Sequence, residues 1–233
     1  TFLDSDDLLD PKFLETLHHL ITTSNSQIAV SAHTPFYNKK KLPSNTKKGK
    51  SFFLSGPKAL HNALFQNNTP DYSAWNKLYS ADLWKDNFFA PRKFAEDLAT
   101  IPDILLNTNR IIVTTQPLYF YRKRKDSLLN TPYNKEKTEL LEIAENLLEK
   151  ISTKDKRLIP AAENTLLSAS FSILWKTPDT DEFADVKKRA YKHILRLRFK
   201  SLFDTRTRFR NKAAVLFSLL GKRFLIFALR RFG

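Results

Sequence analysis

The hydrophobic residues at the start of the chain change from a short continuous run to helical spacing. Phe2-Leu3 precedes a cluster of acidic residues and is predicted to end a buried strand. Asp10-Pro11 has the signature of an N-cap followed by proline at the first helical position. The apolar stripe of this predicted helix consists of Phe13, Leu14, Leu17, Leu20 and Ile21. The sequence therefore predicts a strand and then a helix at this point.

Further strands and helices follow, separated by polar segments. Runs of β-branched and aromatic residues predict strands at residues 27–33, 110–114 and 117–121. Helical spacing and turn signals predict helices at residues 55–66, 80–84 and 94–106. Pro102 should kink the last of these helices because proline lacks a backbone donor. Residues 39–50 are rich in Lys, Asn and Ser and are predicted to form a loop.

Beyond about residue 130 the pattern becomes that of successive amphipathic helices. The first of them, at residues 135–151, carries Leu140, Ile143, Ala144, Leu147, Leu148 and Ile151 on one face. Further helices are predicted at residues 160–175, 183–203 and 209–232. The predicted fold class is therefore α/β, with a sheet in the first part of the chain and a helical carboxy-terminal extension.

The composition is that of an ordinary globular protein, with 42% hydrophobic and 27% charged residues in a chain of 233. Since there is no Cys, disulfides, thiolate metal sites and cysteine nucleophiles are excluded. There is also no Met, and the chain opens on Thr-Phe-Leu-Asp within a predicted strand. We therefore expect this sequence to be a fragment of a longer protein.

The net charge of +15 is concentrated at the carboxy terminus. Residues 187–233 contain 15 Lys and Arg and one acid, Asp204, which gives 15 minus 1, or +14. Within them, residues 213–229 are mostly apolar but are interrupted by Lys222 and Arg223. At 1.5 Å per residue this segment spans about 25 Å, less than the roughly 30 Å hydrocarbon core of a bilayer. A membrane-spanning helix is therefore not expected.

Basic and apolar residues are interspersed from about residue 206 onward, which allows three interpretations. A helix lying in the interface of an anionic membrane uses both kinds of residue. The apolar residues could instead pack on protein, and the basic residues could contact nucleic-acid phosphates. Leu219, Leu220 and Phe227 have no use in a nucleic-acid contact. We therefore favour a membrane-surface anchor and expect no nucleic-acid partner. The predicted location is the cytoplasm, with the protein peripheral on the inner face of the cell membrane.

Asp4, Asp6 and Asp7 lie within four residues, where their like charges repel one another. A divalent cation relieves such repulsion. Mg²⁺ and Mn²⁺ commonly take one or two carboxylates and complete their coordination with phosphate and water. Ligands also bind at the carboxyl ends of strands in open α/β sheets. For this motif taken alone, the alternative is a solvated acidic turn that leads into the Asp10 cap.

Four motifs together resemble the bacterial family 2 glycosyltransferases of the GT-A fold. They are Asp4-Ser5-Asp6-Asp7 with the Asp10-Pro11 helix, Trp75-Asn76-Lys77-Leu78-Tyr79, Glu96-Asp97-Leu98, and Tyr119-Phe120-Tyr121-Arg122-Lys123-Arg124 through Ser127. The resemblance covers roughly residues 1–130. It implies that this part is the acceptor side of a GT-A-like catalytic domain, a mixed sheet that lacks its amino-terminal nucleotide-binding strands. Residues 131–233 would be a helical basic extension.

The resemblance also implies roles for the acidic motifs. Asp4 and Asp6 would meet the diphosphate of a nucleotide-sugar donor through Mn²⁺ or Mg²⁺, with Asp6 the more direct metal ligand. Asp7 would be either a supporting residue or a helix-entry residue. Asp97 would be the general base that takes the proton of an acceptor hydroxyl while its oxygen attacks the anomeric carbon, and Glu96 is the fallback. One such displacement inverts the anomeric centre.

The remaining motifs supply candidate contacts to the sugars and phosphates. Trp75 has a flat apolar face on which sugars stack, although Trp is more often a core residue. The resemblance places Asn76 and Lys77 at acceptor hydroxyls or phosphate. Arg122 and Arg124 lie two residues apart beyond a strand, so both can face one side and bind the donor diphosphate. As isolated residues they would be solvated surface charges.

The sequence therefore predicts an inverting glycosyltransferase. It would move a sugar from a nucleotide-sugar donor to a saccharide or lipid-linked saccharide during surface-polysaccharide synthesis. The alternative is an inactive truncated remnant that acts only as a basic module binding the membrane surface.

Overall fold

The computed structural model describes residues 1–37, 49–66, 69–89, 94–124, 131 and 133–232. The chain forms two compact units. The first comprises Thr1–Ala63, Thr69–Ala90 and Thr100–Thr131, and the second comprises Leu64–Asn68, Pro91–Ala99 and Pro132–Gly233. The predicted division into a catalytic part at residues 1–130 and a helical basic extension at residues 131–233 stays a prediction. Ser127 and most of the predicted loop at residues 39–50 lie outside the described residues.

The first unit is built on a mixed sheet whose central strand is β5 (Ile111–Arg122). β2 (Ile28–Phe36) runs parallel to β5, and β4 (Lys77–Tyr79) pairs antiparallel with β2. On its other side, β5 pairs antiparallel with β1 (Leu8–Leu9) along its second half and with β3 (Ser51–Leu54) along its first half. The main path through the sheet is β1-β5-β2-β4.

The helix α1 (Phe13–Ser24) covers this sheet with only part of its predicted stripe. Phe13 and Leu17 are fully buried in a cluster that includes Ala29, Ile112, Leu118 and Tyr119. Leu14 is instead 53% exposed, because it lies one residue away from the face that meets the sheet. The helix also begins later than predicted, at Phe13. Asp10 accepts a hydrogen bond from the Lys12 N–H (2.9 Å) in the turn that precedes the helix.

The predicted strand at Phe2-Leu3 is wrong. In this segment the strand that pairs with β5 is β1 (Leu8–Leu9), which comes after the acidic residues instead of before them. The Phe2 ring packs against Trp84 and Phe89, with ring centroids 4.8 and 5.1 Å apart. Phe2 therefore belongs to an aromatic cluster and not to a strand of the sheet.

The two strands predicted at residues 110–114 and 117–121 are one strand, β5. The parallel register between β2 and β5 shifts between Val30 and His33, and Pro117 lies opposite Ala32 in this irregular region. Because proline cannot donate a backbone hydrogen bond, an irregular register is where a strand tolerates it. The proline therefore marks a local irregularity and does not end the strand.

The shorter helices of the chain match their predicted positions closely. They are α2 (Gly56–Phe65), a 3₁₀ helix at Ala81–Trp84, and α3 (Glu96–Leu106), which contains Pro102. A Cβ added to Gly56 would lie 2.0 Å from the Leu105 carbonyl oxygen and 2.2 Å from that of Thr108. Glycine is therefore required at the start of α2 by the close approach of the backbone that ends α3.

The second unit is helical. Its helices are α4 (Lys135–Lys154), α5 (Ile159–Lys176), α6 (Ala184–Phe203), α7 (Phe209–Leu219) and α8 (Lys222–Phe232). The helix predicted over residues 209–232 is thus two helices, which separate at Gly221, where φ is +103°. The predicted fold class is confirmed: a mixed α/β sheet is followed by a helical carboxy-terminal part. Among the described residues, no helix has the length and apolar character needed to cross a membrane.

Candidate functional site

The acidic turn lies beside the carboxyl ends of two parallel strands. The Asp7 N–H donates to the Asp4 carbonyl (3.1 Å), which closes the turn. β1 follows at once and pairs with the second half of β5, so the turn lies next to the end of β5. Phe36 and Arg122, the last residues of β2 and β5, are partners in the sheet. In open α/β sheets this end of the strands is where ligands bind.

Asp7 fixes the turn to β5. Its carboxylate is buried and accepts two short hydrogen bonds, from the Tyr119 hydroxyl and from the Arg122 backbone N–H, each 2.7 Å. Burial raises the pKa of Asp7, although both hydrogen bonds oppose this shift. The Tyr119 oxygen also accepts from the Asp4 N–H (3.4 Å). Of the two roles considered for Asp7, the geometry supports that of a supporting residue, because both oxygens are engaged inside the protein.

Asp6 and Arg124 form an ion pair at the edge of this turn. The distance from Arg124 Nη2 to Asp6 Oδ2 is 2.9 Å, and the two side chains are 46% and 25% exposed respectively. Asp4 is exposed. The Arg122 Nε is buried and has no hydrogen-bond partner within the described parts of the chain. The structure therefore brings the predicted metal ligand Asp6 together with Arg124, and the backbone of Arg122 contacts Asp7 in the same turn.

The acidic turn offers few protein ligands to a cation. Among the residues described, no three His, Asp or Glu side chains form a group able to hold a metal ion. Since both Asp7 oxygens are already engaged, the candidate ligands are Asp4 and Asp6. Mg²⁺ and Mn²⁺ commonly bind one or two carboxylates, with phosphate and water in the remaining positions. The chemistry of this donor pair fits such a cation, and metal binding stays a prediction.

Trp75 stacks on two tyrosines of β5, the strand to which the acidic turn is hydrogen-bonded. Its ring lies nearly parallel to those of Tyr119 and Tyr121, with centroids 4.7 and 5.3 Å apart. The His33 ring meets Trp75 edge to face at 4.9 Å. Burial lowers the pKa of His33, so the neutral imidazole is favoured there. Trp75 is only partly buried, which leaves both of its predicted uses open: packing and sugar stacking.

Asn76 and Lys77 are engaged inside the protein. Lys77 is fully buried, and its ammonium donates to the Ser73 carbonyl (2.7 Å), Asn76 Oδ1 (2.9 Å) and Asp71 Oδ1 (3.2 Å). The Asn76 side chain in turn donates to the Ser31 carbonyl (2.8 Å). These contacts tie the segment that precedes β4 to β2. Direct acceptor binding by Asn76 and Lys77 stays a prediction, and the structure gives both residues a structural use.

Glu96 and Asp97 lie in the first turn of α3. Glu96 is exposed and Asp97 is partly buried. Ala95, just before the helix, has φ of +58°, and its carbonyl accepts from the Ala99 N–H (3.1 Å). Residues 96–99 are grouped with the second unit, unlike the acidic turn. The base role of Asp97, and of Glu96 as the fallback, stays a prediction.

Three residues to which the sequence analysis gave no role hold this site together. Tyr119 joins Trp75 to Asp7, Asp71 pairs with the buried Lys77, and His33 packs on Trp75. The alternation of Tyr119 and Tyr121 in a predicted strand does place both on one face, which is a signal for a shared partner. No pattern in the sequence marks Asp71 or His33.

Comparison with known proteins adds a relative in sequence. No protein-family model matches the chain. In an alignment of 137 positions that covers 55% of the chain, it is 31% identical to the glycosyltransferase GlyA of Streptococcus pneumoniae serotype 4 (strain ATCC BAA-334 / TIGR4). This region amounts to 19% of GlyA. The chain therefore resembles part of a glycosyltransferase.

Solved structures of S. aureus TarS residues 1–349 share the fold. The complex with UDP-GlcNAc superposes with a TM-score of 0.59 at 17% identity, covering 99% of this chain and 66% of the TarS chain. TarS without that ligand gives 0.58 at 15% identity, covering 99% and 64%. This chain thus spans just under two thirds of the TarS structures. It has a GT-A-like mixed α/β fold followed by helices, and part of its sequence is similar to a glycosyltransferase.

Proposed function

We propose that this chain forms part of an inverting, metal-dependent family 2 glycosyltransferase. Its substrates would be a nucleotide-sugar donor and a saccharide or lipid-linked saccharide acceptor in surface-polysaccharide synthesis. The observation that carries the proposal is the ion pair between Asp6 and Arg124 (2.9 Å) at the carboxyl ends of β2 and β5. It places a carboxylate and a guanidinium together where an α/β sheet binds ligands.

The donor diphosphate has complementary partners at this turn. Arginine binds phosphate oxygens through paired, charge-assisted hydrogen bonds. Arg124 lies at the edge of the turn, and the buried Arg122 Nε has no acceptor within the described residues. A phosphate oxygen would supply one. GlyA is named a glycosyltransferase and TarS was solved with UDP-GlcNAc and with UDP, which supports a uridine nucleotide sugar as the first donor to test.

Asp4 and Asp6 are the residues that would hold Mn²⁺ or Mg²⁺. Such a cation supplies positive charge that stabilises a departing diphosphate. The protein's own part is to keep the two carboxylates at a fixed place, which it does through the hydrogen bonds of Asp7 to Tyr119 and to the Arg122 backbone. Asp7 is therefore a positioning residue in this proposal.

Proton transfer from the acceptor is assigned to Asp97. A general base contributes about 10²- to 10⁴-fold to a rate when it lies within hydrogen-bond reach of the reacting hydroxyl. Asp97 is partly buried at the start of α3, and Glu96 beside it is exposed. The carboxylate of Asp97 would accept the proton while the acceptor oxygen forms the new bond to the anomeric carbon. The bond to the diphosphate breaks on the opposite face, with its electrons leaving on the nucleotide.

The donor-binding part of the proposal is tested by titrating UDP and UDP-GlcNAc, with and without Mn²⁺, into this chain and into longer versions of the protein. We expect Arg124→Gln to weaken UDP binding by at least tenfold, since a charge-assisted hydrogen bond contributes about 1.5 to 3 kcal/mol. The matched control is Arg157→Gln, which removes a similar pair with Asp155 (2.8 Å) in the second unit. Equal effects of the two substitutions would remove the diphosphate role from Arg124.

The catalytic part is tested by donor hydrolysis and sugar transfer in the version of the protein that binds UDP. Asp97→Asn should lower kcat by about 10²-fold or more while the affinity for UDP stays the same. If Asp97→Asn keeps full activity and Glu96→Gln loses it, the base is Glu96. If no version binds UDP or UDP-GlcNAc, the chain is better described as the non-catalytic, membrane-binding remnant.

A further inference from the structure

The last two helices present an apolar surface that the described protein does not cover. Phe209, Phe224 and Phe227 are 85%, 60% and 68% exposed, and Leu216, Leu220 and Phe217 are exposed beside them. We call these six side chains the tail surface. A cavity of about 320 Å³ between α7 and α8 is lined mainly by Phe209, Phe217, Ala213 and Leu229. Apolar side chains are thus left without protein contacts on one side of this helix pair.

The tail surface is not the side that α7 and α8 use for packing. Leu225, Ala228 and Leu229 of α8 are buried, as are Ala214 and Val215 of α7. Phe224, Phe227 and Arg231 follow each other at spacings of three and four residues, which places them on one face of α8. That face is separate from the buried one. Each helix therefore has one face in the core of the second unit and another apolar face that is exposed.

The charged residues that follow Asp204 in the sequence are all basic. Between Asp204 and the end of the chain there are eight Lys and Arg and no acid. Arg210, Lys222, Arg223 and Arg231 are exposed on the same two helices. Arg230 is held by Asp179 (2.9 Å), which fixes the end of α8 to the second unit. The exposed aromatic rings are thus held on a fixed helix among positive charges.

We propose that the tail surface binds an anionic lipid bilayer, with its aromatic and leucine side chains inserted between the lipids. Interfacial helices carry apolar residues on one face and Lys or Arg at its borders. Exposed leucines have nothing to contact on nucleic acid, and a second copy of this surface would bring the exposed cations Arg210, Lys222, Arg223 and Arg231 close to the same four cations. This inference goes beyond sugar transfer and does not depend on it, because it concerns residues far along the chain from the proposed active site.

The first test measures binding of the whole chain to vesicles of phosphatidylcholine alone and of phosphatidylcholine mixed with phosphatidylglycerol. We expect binding to the mixed vesicles, weakening as salt is added. The double substitution Arg223→Gln and Arg231→Gln should weaken binding to the mixed vesicles about thirtyfold. Each basic residue near an anionic surface contributes about 1 kcal/mol, and roughly 1.4 kcal/mol corresponds to a tenfold change in affinity. Lys154→Gln with Lys156→Gln removes the same charge from exposed positions elsewhere and should have little effect.

The aromatic contribution is tested with Phe224→Ser and Phe227→Ser together, for which we expect at least a tenfold loss of vesicle binding. Phe88→Ser is the control, because Phe88 is 77% exposed but lies in the first unit. The absence of Cys allows a single fluorescent label at Phe227→Cys. Its emission should shift to the blue with mixed vesicles, whereas a label at Phe88→Cys should not respond.

Three results would overturn the proposal. Equal binding to neutral and anionic vesicles would remove the charge argument. A label at residue 227 that stays exposed on bound protein would exclude insertion of the ring. Light scattering that shows a dimer in the absence of lipid, lost on Phe224→Ser with Phe227→Ser, would assign the tail surface to a second copy of the chain.

Discussion

Replacing Lys77 by Met tests whether this lysine is a structural residue. In the structure its ammonium is fully buried and bonded to Asp71, to Asn76 and to the Ser73 carbonyl. Met has a similar length and no charge, so the substitution removes the cation with little change in volume. The acceptors around it would then be left in a buried site without their donor.

The size of the effect follows from these contacts. Removing one partner of a buried ion pair costs about 3 to 5 kcal/mol, because the remaining charge is left uncompensated. The Asp71 side chain is 37% exposed, so water can solvate part of its charge. We therefore expect a loss near the lower end, about 3 kcal/mol in the free energy of unfolding. Urea unfolding followed by circular dichroism measures it.

The pH dependence of this loss provides a second measurement. Burial would raise the pKa of Asp71, but the charge of Lys77 and hydrogen bonds from Ser73 and Lys77 outweigh it and lower that pKa. A lowered pKa gives stability that is present above the unfolded value of about 3.9 and is lost as the pH falls through the folded value. The difference between wild type and Lys77→Met should therefore narrow below about pH 4.

Lys85→Met is the matched control. Lys85 pairs with Asp82 at 2.7 Å, but both side chains are more than 70% exposed (73% and 76%), and such surface pairs contribute little. We expect no measurable change in its unfolding. If Lys77→Met unfolds at the same urea concentration as Lys85→Met, Lys77 is not held in the buried network. A direct role in binding an acceptor would then be the better explanation of the Trp75-Asn76-Lys77 motif.

Three further predictions concern the turn, the start of α2 and an aromatic contact. In a double-mutant cycle, Tyr119→Phe and Asp7→Asn should couple by about 1 to 2 kcal/mol in urea unfolding, since they remove one buried, charge-assisted hydrogen bond; additive losses would contradict that bond. Gly56→Ala should lower the unfolding free energy by about 1 to 3 kcal/mol, because its Cβ would meet two carbonyl oxygens, and an unchanged thermal midpoint would refute this. Since burial lowers the pKa of His33, stability should rise with pH up to the unfolded value of about 6.5. His33→Phe should flatten that slope in unfolding measured across a pH series.

Local sequence patterns were sufficient to predict those helices whose ends are set by residues within or next to the helix. The amphipathic spacing of residues 135–151 predicted α4, which the structure extends to Lys154, and helical spacing and turn signals located α2. The failures involve contacts between distant residues. Phe2 packs against Trp84 and Phe89. No periodicity in the residues near Phe2 distinguishes such an aromatic cluster from a strand.

Charged side chains were the least predictable part of the site, because their partners decide what they do. Lysine is usually found at the surface of proteins, yet Lys77 is buried because the preceding six residues supply its acceptors. Asp6 and Asp7 are adjacent in the sequence but have different surroundings. Asp7 is buried in contact with Tyr119, which lies 112 residues away in the sequence. The residues next to Asp7 in the acidic motif do not predict this contact.

The structure also changes the electrostatic argument for a cation. From the sequence, three nearby carboxylates require a counter-charge. In the folded protein Arg124 pairs with Asp6, and two hydrogen bonds stabilise the carboxylate of Asp7. Much of the repulsion is therefore relieved by the chain alone, so the stronger need for a cation comes from the added charge of a diphosphate. Mn²⁺ should accordingly bind weakly to the free protein and much more tightly with UDP present. If Mn²⁺ binds equally well with and without UDP, the acidic turn is a metal site in its own right, and its pairing with Arg124 is not the feature that determines donor binding.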